Sequence, residues 1–87
     1  MKVGVQLDNT YLEAHLFSSR HRKDLERDPV CGCFHCMKIF NPAEITEWVD
    51  VDDTALCPYC GIDSVLGKSS GYPITEQFLN GMHKAWF

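Results

Sequence analysis

Cys33-Phe34-His35-Cys36 and Cys57-Pro58-Tyr59-Cys60 are two Cys-x-x-Cys units with twenty residues between them. Two residues between cysteines let one tight turn aim both sulfurs at a single point, and two such turns supply the corners of a tetrahedron. The spacing therefore predicts one structural zinc ion held by Cys33, Cys36, Cys57 and Cys60. Gly61 follows the fourth cysteine and permits the positive φ that closes a zinc knuckle. A thioredoxin-like redox site is disfavoured, since it needs one such unit within a βαβ pattern. Iron in a four-thiolate cage has the same ligand set, so spacing alone leaves zinc and iron undivided.

A chain of 87 residues falls below the size at which a second hydrophobic core forms, and a core this small commonly leans on a metal or covalent cross-link. One zinc-stabilised domain over residues 1–87 is expected. It comprises an N-terminal strand and helix in 1–29, the zinc-binding centre in 30–66, and a loop and C-terminal helix in 67–87. Residues Met1 to Asp8 carry no apolar signal region, which argues for reduced thiols and a cytoplasmic location. No run approaches the roughly 20 apolar residues of a membrane span.

The formal net charge is −4, from eight Lys and Arg against twelve Asp and Glu. Four thiolates around one divalent cation would make it more negative still, so phosphate backbones are repelled overall and a protein partner is favoured over nucleic acid. The charge is uneven. Residues 41–56 hold Glu44, Glu47, Asp50, Asp52 and Asp53 without a Lys or Arg, whereas Arg20, Arg22, Lys23 and Arg27 cluster on the N-terminal side. Those four are the candidate interaction surface for phosphates, although Asp24, Glu26 and Asp28 dilute them and no aromatic is interleaved for base stacking.

Val3, Val5 and Leu7 alternate with polar or small residues, the period of a short strand. Thr10 and Glu13 have capping-box spacing ahead of a helix expected over Tyr11 to Glu26, closed by Pro29. Its first half carries an apolar face; its second half has one large apolar residue and is expected to be a solvated extension or a surface that meets a partner. Asn41-Pro42-Ala43-Glu44 reads as a capped helical turn running to about Glu47. Trp48 to Val51 and Thr54 to Leu56 read as strands about an Asp52-Asp53 turn. A final helix is expected from about Thr75 to Trp86, with Ile74, Phe78, Met82, Ala85 and Trp86 as its apolar stripe and Leu79 beside it. The fold class expected is a small α+β zinc-bound domain, its centre of two knuckles and a β-hairpin flanked by an N-terminal and a C-terminal helix. That centre is a zinc ribbon, or a treble clef if Pro58 to Leu66 is helical.

Cys31, two before the first ligand, reads first as a small buried hydrophobe; a reactive thiol activated by nearby cations is the competing reading. His15 and His21, six apart on a helix, do not share a face. His35 and His83 read as solvated surface residues.

The strings Cys31-Gly32-Cys33-Phe34-His35-Cys36 and Cys57-Pro58-Tyr59-Cys60-Gly61-Ile62-Asp63-Ser64-Val65, with Phe40, Pro42, Trp48 and the closing Trp86-Phe87, resemble a family of small bacterial proteins labelled only as cytoplasmic proteins, with a zinc-ribbon-like centre. The resemblance runs from about Ser18 to the end. It implies zinc and a cytoplasmic location and carries no activity. Three functions compete. The first is a non-catalytic protein-interaction module; the second is nucleic-acid binding through Arg20, Arg22, Lys23 and Arg27; the third is a small hydrolase or thiol enzyme using Cys31 and a histidine. Four cysteine ligands leave no open position for an activated water, so the reading favours no catalytic residues at the zinc.

Overall fold

The computed structural model describes residues 10–87. The strand expected over Val3 to Leu7 lies outside them. Residues 10–14 are helical (α1), with Thr10 already inside the helix instead of capping it, and α1 passes directly into a 3₁₀ turn at His15–Ser18. A short helix α2 (Arg22–Leu25) precedes strands β1 (Cys31–Cys33) and β2 (Ile39–Phe40). A 3₁₀ turn at Pro42–Glu44 leads to the hairpin β3 (Trp48–Val49) and β4 (Thr54–Ala55). Strand β5 (Val65–Gly67), a 3₁₀ turn at Lys68–Ser70 and helix α3 (Glu76–Trp86) complete the chain.

Over the described residues the chain is thus a small α+β protein with two antiparallel sheets. One has the order β2-β1-β5; the other is the β3-β4 hairpin. In the larger sheet Cys33 stands opposite Val65, Gly32 opposite Leu66 and Cys31 opposite both Phe40 and Gly67. Because side chains alternate along a strand, this register sorts the core into two layers. Cys31, Cys33 and Val65 face a cluster with Leu25, Phe40, Ile45, Ala55 and Cys57. Leu66 faces the other way, into a cluster with Ala14, Phe34, Leu79 and Met82. The sheet is therefore buried on both sides, cysteine-rich beneath and helical above.

Helix α3 docks onto that sheet through Leu79 and Met82, both fully buried. The sequence-derived stripe is displaced: Phe78 is half-buried, but Ala85 and Trp86 are exposed. Thr75 caps the helix by accepting from the Phe78 N–H at 3.1 Å. Close approach is possible because residue 32 has no side chain. A Cβ there would sit 2.8 Å from Leu79 Cδ1 and 3.2 Å from Ile74 Cγ2. Gly32→Ala is expected to push α3 off the sheet at a cost of about 1–3 kcal/mol, read as a lowered urea midpoint with metal stoichiometry unchanged. An unchanged midpoint would mean that Leu79 has room to yield.

The continuous helix expected over Tyr11 to Glu26 is corrected. The chain leaves helical geometry at Ser19 (φ −142°, ψ 160°), and Arg20 takes φ 49°, a left-handed conformation. Tertiary hydrogen bonds hold this break in place. The Arg20 N–H donates to Thr54 Oγ1 at 2.8 Å, and the His21 and Arg22 N–H groups donate to the Asp53 carbonyl at 2.9 and 3.2 Å. The second half is not a solvated extension either, since His21 and Leu25 are buried.

The capped turn at Asn41 is present but shorter than expected. Asn41 accepts from the Ala43 N–H, Glu44 reaches back to the Asn41 N–H, and the turn ends at Glu44. The hairpin is also where expected, with shorter strands. Asp50, Val51 and Asp52 all have positive φ (55°, 59° and 62°), so the reversal begins two residues earlier than the Asp52-Asp53 pair suggests.

Candidate metal centre

Each Cys-x-x-Cys unit is a knuckle, and the two share one hydrogen-bond pattern. In the first, Cys33 N–H donates to Lys38 carbonyl at 2.9 Å, Met37 N–H donates to Cys33 carbonyl at 2.8 Å, and His35 N–H points at Cys33 Sγ, 3.3 Å away. In the second, Cys57 N–H donates to Ile62 carbonyl at 3.0 Å, Gly61 N–H donates to Cys57 carbonyl at 2.8 Å, and Tyr59 N–H points at Cys57 Sγ, 3.4 Å away. Both turns close on a residue of positive φ, Met37 at 68° and Gly61 at 79°. Gly61 does so at no steric cost. Met37 bears the cost, which is why the sequence signals only the second closure.

The β1-β2 hairpin presents the first knuckle and the β4-β5 connection the second. The sulfurs of Cys33, Cys36, Cys57 and Cys60 lie within 4.8 Å of one another, with Cys33 to Cys60 at 3.6 Å and Cys36 to Cys57 at 3.7 Å. A tetrahedral zinc with bonds of about 2.3 Å requires sulfur edges of about 3.8 Å. A disulfide requires about 2.05 Å, and all five cysteines are free. The four residues could therefore hold a metal ion such as zinc, with every ligand position of a tetrahedron filled by protein.

Environment divides the thiols. Burial pushes Cys57 and Cys60 up. Burial acts upward at Cys33 too, but the Ser64 hydroxyl, 3.1 Å from its sulfur, and the backbone N–H groups of Cys36 and His35 outweigh it and hold the thiol below its ordinary value. A bound divalent cation deprotonates all its coordinating thiols outright. The N–H groups aimed at Cys33 and Cys57 are then placed to share the resulting negative charge.

No family model, curated protein or solved structure matches the chain.

The helical alternative for Pro58 to Leu66 is corrected: residues 58–60 are a turn, and the chain then extends into β5. Cys31 is fully buried, its thiol 3.5 Å from the Phe40 carbonyl, and burial followed by the Asp28 carboxylate pushes its pKa up to about 12. It lies on the ligand side of β1 because it is two residues from Cys33, a period-two signal legible in the sequence.

His35 and His83 are not solvated rings. His83 Nδ1 lies 3.0 Å from the Phe34 carbonyl, and Phe87 packs on both histidines, at 4.7 Å from His35 and 5.4 Å from His83 between ring centroids. His35 Nδ1 is buried without a hydrogen-bond partner among the described residues. The candidate phosphate-binding group is not brought together as four solvated cations. Arg22 is bonded to Glu26 at 2.9 Å and lies 4.5 Å above the Trp48 ring, and Arg27 is bonded to Asp24 at 3.0 Å. Arg20 and Lys23 are exposed. Both ion pairs are exposed and add little stability, but they engage half of the donors.

Proposed function

We propose that this chain is a zinc-ribbon-like, non-catalytic protein-interaction module of the cytoplasm, related to the bacterial family that its cysteine strings resemble. The observation carrying the reading is the closed set of four thiol ligands. A catalytic zinc keeps one position for water or substrate, and the four sulfurs here would fill the whole shell of a bound tetrahedral ion. Cys31, the nucleophile of the thiol-enzyme alternative, is buried, and its raised pKa keeps it a thiol where the thiolate is the reactive form. No helix among the described residues is long and apolar enough to cross a membrane.

The tip of the β3-β4 hairpin is the part of the surface best suited to a protein partner. Val51 is 95% exposed between Asp50 and Asp52, and an exposed loop held on a rigid scaffold is where binding residues concentrate. The test uses immobilised zinc-loaded protein and extract of its own cells, with and without nuclease. Capture of a defined protein that survives nuclease and is lost in Val51→Ser with Asp52→Asn is the expected result. Nuclease-sensitive capture of nucleic acid, lost when Arg20 and Lys23 are replaced by glutamine, would favour the second reading instead. In the same preparation Cys31→Ala is expected to keep one zinc per chain. Loss of an enzymatic activity on that substitution, with zinc retained, would restore the thiol-enzyme alternative.

A further inference from the structure

His21 is 8% exposed and lies against the outer edge of β4. Alternate residues of an antiparallel strand direct their backbone groups to opposite sides. The Leu56 N–H turns inward to the Glu47 carbonyl at 3.0 Å, and the Asp53 carbonyl and Ala55 N–H face out. Residue 21 meets both outward groups. Its own N–H donates to the Asp53 carbonyl at 2.9 Å, and its ring Nε2 lies 3.1 Å from the Ala55 nitrogen. The imidazole thereby replaces the carbonyl that a neighbouring strand would offer.

The other ring nitrogen fixes the tautomer. Nδ1 is 2.8 Å from the Phe17 carbonyl, a group that can only accept, so Nδ1 carries the proton and Nε2 is the bare acceptor for Ala55. A proton on Nε2 would set two N–H donors against each other at 3.1 Å. We propose that His21 is an acid-released latch: neutral, it seals the outer edge of β4 and fastens the segment between α1 and α2 to the hairpin; protonated, it lets both go. Release would uncover the Asp53 carbonyl, the Ala55 N–H and Thr54 Oγ1, an unpaired edge of the kind that another extended segment can extend.

The charges facing the ring are Asp53 from the hairpin, Asp24 from α2 and Asp28 just beyond it, all favouring the imidazolium, with Arg20 and Arg22 as chain neighbours. Burial outweighs the carboxylates and the Phe17 bond and holds the ring below its ordinary 6.5. Above the open-state pKa of about 6.5 the ring is neutral in both states and the latch is at full strength. As pH falls below that value the released ring takes up a proton that the seated ring refuses. The latch weakens progressively until the seated ring's lower pKa is passed.

Ring nitrogen NMR on the zinc-loaded protein, with zinc content measured at each pH and only fully loaded points used, tests this. The expected results are an Nδ1–H tautomer at neutral pH, titration below 6.5, and an Ala55 amide protection factor that falls by up to about tenfold per pH unit below the open-state pKa. His21→Gln should abolish that fall. Should the variant not fold, the tautomer and titration of the native ring still decide. An Nε2–H tautomer at neutral pH, titration at or above 6.5, or an equal fall in His21→Gln would overturn the latch.

Discussion

Complete chelation of the metal at neutral pH is expected to abolish the near-UV circular dichroism of the protein and to remove hydrogen-exchange protection from Cys31 through Gly67. Cys33 and Cys57 are buried members of the lower core cluster, and Cys36 and Cys60 pack against it, so the ligands are themselves much of what that layer contains. Without a cation, four sulfurs at 3.6–3.7 Å across the cage are thiolates that repel or thiols that have lost their shared partner. A structural zinc site contributes on the order of 10–16 kcal/mol in small peptides, against a total stability of about 5–15 kcal/mol for a whole domain. The upper layer cannot compensate, because Leu79 and Met82 rest on the same sheet whose other face the ligands hold. A metal-free protein with native near-UV signal and native amide protection would show that the apolar clusters suffice and that the cage is dispensable.

Phe34→Ala is expected to destabilise the zinc-loaded protein by about 3–5 kcal/mol, the usual range for truncating a buried phenylalanine. Phe34 lies between two ligands, yet it belongs to the upper cluster and is 1% exposed. Its N–H donates to the Ser64 carbonyl at 3.0 Å, its carbonyl meets His83 Nδ1, and its ring lies 5.9 Å from His15 and 6.0 Å from Phe87. It therefore joins the first knuckle to β5, to α3 and to the turn after α1. Denaturation of the zinc-loaded variant should show a lower urea midpoint with one zinc still bound at the start of the titration. A cost under about 1 kcal/mol, the level of an ordinary point substitution, would mean that the layers are held together elsewhere.

The candidate metal-binding set was legible because it depends on local geometry. Two intervening residues force a turn, and the turn aims its cysteines whatever surrounds it. The Asn41 cap, the hairpin and α3 were legible for the same reason, since each is signalled by residues within a few positions of one another. The helix over Tyr11 to Glu26 was misread because its break at Ser19 and Arg20 has no local signature; Thr54 and Asp53, more than thirty residues away, hold it open. His21 was hidden by the same distance, for its partner Ala55 becomes a neighbour only after the hairpin folds back. Met37 shows the complementary case: its positive φ repeats that of Gly61, but a methionine gives no warning of it.

By itself the sequence determined which four sulfurs converge, that Cys31 is a small buried residue, and where the Asn41-capped turn and the last helix begin, all consequences of short-range spacing and residue preference. Only the tertiary structure decided which side of the sheet each half of the core occupies, that Phe34, His35 and His83 pack together above the first knuckle, and that His21 fills the place of a missing strand. Those outcomes depend on contacts between residues distant along the chain, where no periodicity reaches and only packing chooses the partner.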